Sequence, residues 1–126
     1  MKNLAKKIIE YDKLSNECEI VISDGKYELL CYSYDYRSIK SKSKYELISF
    51  MANNIYLADR KEFEVKRIKS SYFSYEIHAQ IISLSLPAVA IGRIKLMLDN
   101  NIPSDLSIGD FIVFSVDRVD FVLIKD

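Results

Sequence analysis

The chain has no tryptophan, one histidine, two cysteines, two prolines and three glycines among its 126 residues. Each shortage closes off a class of chemistry. Gly25, Gly92 and Gly109 stand far apart, so they build no glycine-rich phosphate cradle, dinucleotide-binding turn or nucleophile elbow. With one imidazole and two thiols, a four-ligand zinc site would depend on carboxylates, and no ligand spacing marks one. Two cysteines exclude a disulfide framework and fit a reducing compartment, as small buried hydrophobes. No apolar run approaches the roughly 18 residues of a membrane span. The first ten residues meet Lys2, Lys6, Lys7 and Glu10 too early for the apolar region of a signal peptide. The expectation is a cytoplasmic protein with no membrane partner, cofactor or metal.

What the sequence does have is alternation. Phe73, Tyr75, Ile77, Ala79 and Ile81 alternate with Ser74, Glu76, His78 and Gln80, the period of a half-buried strand. Similar runs lie at 18–36 and 111–124. Asp24-Gly25, a favoured pair for a two-residue hairpin, predicts Ile22 opposite Tyr27, Ile20 opposite Leu29 and Cys18 opposite Cys31, all on one apolar face. A disulfide is sterically possible there, but two reduced thiols are expected without an export signal. Asn53-Asn54 predicts a second hairpin, and 63–69 a charged edge strand. The alternation changes phase at Ile81-Ile82, which predicts a β-bulge that returns Ile82, Leu84 and Leu86 to the interior. Gly92 marks a bend or a close approach within a strand over 89–98.

Before the first strand, Leu4, Ile8 and Tyr11 fall at helical spacing, with Lys2, Lys6 and Lys7 on the wet side, predicting a short N-terminal helix. Residues 1–126 then form one all-β domain: a small antiparallel β-barrel, OB-like, of six or seven strands, with a β-sandwich as the alternative. The Gly109-Asp110 step into the last strand resembles the Gly-Asp turns of small barrels.

No catalytic constellation stands out, and no enzymatic activity is expected. His78 shares the polar side of its strand with Glu76 and Gln80 and reads as a solvated strand-face histidine. Asp105, Asp110, Asp117 and Asp120 fall on different faces and gather no cation site.

Charge is balanced overall but segregated. Residues 37–69 carry nine basic side chains against four acidic ones, while 99–126 carry six aspartates against Arg118 and Lys125. Tyr32, Tyr34 and Tyr36 form an aromatic row that leads into a Ser/Lys-rich loop, 37–44, expected to be mobile. Tyrosines beside lysines serve protein interfaces and single-stranded nucleic acid alike. Zero net charge and the acidic C-terminal third favour a protein partner. The binding residues expected are therefore Tyr32, Tyr34, Tyr36, Arg37, Lys40, Lys42 and Lys44. In size and character the chain resembles the small immunity and antitoxin proteins of bacterial toxin systems. That likeness implies an inhibitor that occludes a protein partner such as a toxin; the alternative is an OB-like protein binding single-stranded nucleic acid, and a hydrolase or nuclease ranks third.

Overall fold

The computed structural model describes residues 4–124. Lys2 of the expected helix, and Lys125 and Asp126 of the acidic tally, lie outside them. The strands are β1 (Ala5–Tyr11), β2 (Cys18–Ser23), β3 (Glu28–Ser33), β4 (Tyr45–Phe50), β5 (Asn53–Leu57) and β6 (Glu64–Arg67). They continue as β7 (Tyr75–Ser83), β8 (Ala88–Ile91), β9 (Ile94–Met97), β10 (Phe111–Val116) and β11 (Arg118–Leu123).

All eleven join one mixed sheet in the order β1-β2-β3-β11-β4-β9-β8-β7-β10-β5, with β6 added beside β7. The all-β expectation holds. The OB-like closed barrel of six or seven antiparallel strands does not, and neither does the sandwich: single parallel bridges join β3 to β11 and β4 to β9. β10 and β11 are separated only by Asp117, yet occupy distant places in that order. The sheet therefore curls back on itself around Phe114, Ile20, Ile22, Ile77, Ile91 and Leu96, all fully buried.

Several local expectations need correction. The N-terminal segment is strand β1, not a helix, pairing antiparallel with β2 from Ala5↔Ser23 to Tyr11↔Cys18. Eight residues of apolar spacing fit either period. β2's open edge decides between them, because its backbone groups need partners and β-branched Ile8 and Ile9 suit a strand. The first hairpin turns on Gly25-Lys26, one residue later than expected, since Ser23 pairs with Glu28. The Asp24 carboxylate accepts N–H bonds from Lys26 at 2.9 Å and Tyr27 at 2.7 Å, and Gly25 takes the positive φ (96°) of the first central position. Partners shift by two, so every side chain keeps its expected face, but Cys18 now opposes Ser33 rather than Cys31. Both thiols are free and buried.

Asn53-Asn54 makes no hairpin. β4 and β5 do not pair with each other; β4 lies along β11 and β5 along β10, with a bend at Met51-Ala52 between them. Gly92 is not a mid-strand bend but the first residue of a tight β8–β9 hairpin, Ile91 pairing with Ile94. The bulge does occur, between Ile81 and Ser83. It does not bring the even-numbered residues inside: Ile82, Leu84 and Leu86 stay exposed, because the strand ends at Ser83 and a turn follows. β6 is an edge strand carrying Lys66 and Arg67, as its charge pattern predicts.

Candidate functional site

The three tyrosines of the expected row part company. β3 ends at Ser33, so only Tyr32 lies on the strand. Tyr34 follows it and is 59% exposed, and Tyr36 opens a 3-10 turn over Tyr36–Ser38. Tyr32 and Tyr34 remain neighbours, with ring centroids 5.7 Å apart. Tyr36 instead stacks on Tyr11 of β1, 4.3 Å between centroids and 8° from parallel.

The basic segment is anchored rather than loose. Tyr36 N–H donates to the Asn16 carbonyl and Arg37 N–H to its side-chain oxygen, both at 2.9 Å. The Arg37 guanidinium donates to the Lys13 carbonyl at 2.6 Å. Lys6 reaches the Lys40 carbonyl at 3.0 Å, and Lys40 N–H donates to Ser43 Oγ. Lys40, Lys42 and Lys44 are exposed and line none of the groove described next. The structure thus brings Tyr32 and Tyr34 together, while Lys40, Lys42 and Lys44 do not line the groove at Tyr32.

What assembles around Tyr32 is a groove of about 460 Å³, walled by Tyr11, Tyr32 and Phe73 and by the β1–β2 turn. Its charged lining is Glu10, Asp12, Glu17 and Glu19 against Lys13 alone. The turn is rigidly built: Asp12 accepts from Leu14 N–H at 2.8 Å, and Asn16 takes a left-handed φ of 67°. Partial burial raises the Tyr32 phenol pKa above its ordinary value, and the Glu17 carboxylate beside it adds to the effect. Tyr72, exposed at the rim, donates its hydroxyl to Glu19.

The same surface already holds two guanidinium groups. Arg118 lies 4.8 Å from the Tyr32 ring centre and 4.3 Å from that of Phe50, with its Nε donating to Asp120 at 2.6 Å. Arg67 sits 5.4 Å from the ring centres of both Tyr72 and Tyr75. Aromatic faces backed by carboxylates suit cationic side chains. The Tyr32 ring also meets Phe73 in a T-shaped contact, with centroids 6.0 Å apart.

Tyr11, Glu17, Glu19, Tyr72 and Phe73 were not legible as site residues. Tyr11 was hidden by the helical reading of β1, and Phe73 by its place in the alternation of a core strand. Their meeting depends on pairings that no local pattern encodes.

A second polar cluster lies on the β6–β7 ladder. His78 Nε2 is 3.4 Å from Glu64 Oε1 and 3.7 Å from Glu76 Oε1. The neighbouring strand β6 thus adds Glu64 to the Glu76 that already stands two residues from His78 on β7. No helix among the described residues is long and apolar enough to cross a membrane. No protein family, curated protein or solved structure matches this chain.

Proposed function

We propose that the chain is a non-catalytic protein-binding module of the immunity or antitoxin kind, occluding a partner that presents basic side chains. The observation that carries this reading is the groove at Tyr32, aromatic in its walls and acidic in its lining. Tyrosine and phenylalanine offer large contact area with little side-chain entropy to lose. The carboxylates of Glu10, Asp12, Glu17 and Glu19 would steer a cationic segment inward and pair with it once seated. The same carboxylates repel phosphate, which weighs against the single-stranded nucleic-acid alternative.

Fluorescence anisotropy at low salt tests the reading with three probes: an Arg/Lys-rich peptide, a Glu-rich peptide and a single-stranded oligonucleotide. The basic peptide should bind, weakening as salt rises and in an E17Q/E19Q double variant. Binding of the oligonucleotide with no binding of the basic peptide would reverse the choice of partner. For the inhibitor role, the chain should restore growth to cells expressing a toxin encoded beside it, and E17Q/E19Q should do so less well.

A further inference from the structure

We infer that Glu64, Glu76 and His78 form a binding site for a divalent transition ion of the zinc class. The β6–β7 ladder builds it: Glu64 pairs directly with His78, and Glu76 precedes His78 by two residues on the same face. One donor atom from each of the three lies within 4.8 Å of the other two. Metal–ligand bonds of about 2.0–2.1 Å in a tetrahedral site place neighbouring donors about 3.3–3.4 Å apart. The imidazole nitrogen stands 3.4 Å and 3.7 Å from the two carboxylate oxygens, close to that edge length.

The surroundings fit the assignment. Among the described residues, neither carboxylate forms an ion pair within 4.0 Å with a lysine or arginine, although Lys66 stands opposite Glu76 in the register, and both carboxylates approach the one imidazole. Only 18% of the His78 side chain is exposed, while Glu64 and Glu76 are 45% and 39% open, leaving positions for water or an exogenous ligand. Buried Val113 of β10, opposite His78, closes the other side of the strand to water. One nitrogen and two oxygens suit a borderline ion better than calcium or magnesium, which prefer all-oxygen shells.

Calorimetric titration of the full chain with zinc chloride tests the site, with ¹⁵N-edited NMR following the His78 imidazole. One saturable equivalent should bind, with shifts centred on His78 and its strand neighbours. Each of H78A, E64Q and E76Q should weaken binding by at least about tenfold, the smallest cost typical even for losing an outer partner of a metal ligand. E64Q, isosteric and on an edge strand, decides the matter if H78A fails to fold. No saturable binding overturns the site, as does binding that all three variants leave unchanged, which would mean an adventitious ion only.

Discussion

Asp24, in the β2–β3 turn, accepts the backbone N–H of Arg93, in the β8–β9 turn, at 2.9 Å, and Arg93 returns its guanidinium to the Asp24 carbonyl. Two tight hairpins from distant parts of the chain are thereby locked tip to tip. Gly92 makes this approach possible. It holds a φ of +58°, and a Cβ there would lie 2.3 Å from Asp24 Oδ2 and 2.8 Å from Tyr27 Cδ2. G92A should therefore destabilise by about 2 kcal/mol or more, adding left-handed strain to loss of the lock. Urea unfolding would check this. A change within about 0.5 kcal/mol, as at an ordinary surface site, would show the lock to be slack.

Asp99 plays the matching part at the β4–β5 bend. Its carboxylate accepts from Ser49 Oγ at 2.6 Å, Met51 N–H at 2.7 Å and Ala52 N–H at 3.0 Å. These hold Met51 at a φ of +61°, which a residue with a side chain rarely adopts. D99A strips the acceptor from buried Ser49 and Ala52 and should cost roughly 2–3 kcal/mol. Chemical unfolding that finds D99A as stable as the parent chain would assign the bend to other contacts.

The two aspartates also set an acid limit. Partial desolvation works to raise each pKa but is outweighed by the hydrogen bonds. Those come from Arg93, Tyr27 and Lys26 N–H at Asp24, and from Ser49, Ala52 and Met51 at Asp99, so both folded values fall below the ordinary aspartate range. A depressed folded pKa contributes stability that is fully present above the unfolded value, about 3.9, and is lost as pH falls through the folded one. Unfolding free energy should thus decline below about pH 4, and D99A should show a shallower decline than the parent chain. Equal slopes in the two proteins would remove Asp99 from the account.

Both thiols should resist modification in the native state. Cys31 is fully buried, and desolvation, with a smaller contribution from Asp120, drives its pKa far above the usual thiol range. Burial raises Cys18 too, against a hydrogen bond with Ser33. A thiol-specific reagent should label neither at neutral pH and both in denaturant. Rapid native labelling would mean that the β2–β3 face opens far more readily than its packing allows.

How much of this could be read in advance follows the range of the interactions. The inward set Cys18, Ile20, Ile22, Leu29 and Cys31 was legible because strand alternation is local, and it survived a turn displaced by one residue since partners moved by two. The turn's position was not legible, because the Asp24 side chain serves as its cap instead of a central residue. β1 was misread because its partner edge, which a short periodicity cannot see, selected the strand. Tyr32 and Tyr34 stood out by composition. Glu19 of β2 and Phe73 of the loop before β7, which complete their surroundings, lie more than fifty residues apart. Glu64 reaches His78 only through the β6–β7 register.

Tyr75 supplies the last test, since it joins β7 to β3 through the core. Its ring is buried, and its hydroxyl accepts the N–H of Leu30 at 2.9 Å, across 45 residues of sequence. Leu30 is itself buried, at 7% exposure, so removing the oxygen leaves an amide with neither protein nor solvent to receive it. Y75F conserves the ring and its packing and isolates that loss, which should be about 1–3 kcal/mol. Hydrogen exchange provides an independent reading, because the Leu30 amide should lose protection in Y75F more than its neighbours Leu29 and Cys31 do. Unchanged stability together with unchanged Leu30 exchange would show that the phenol's place in the core rests on its ring alone.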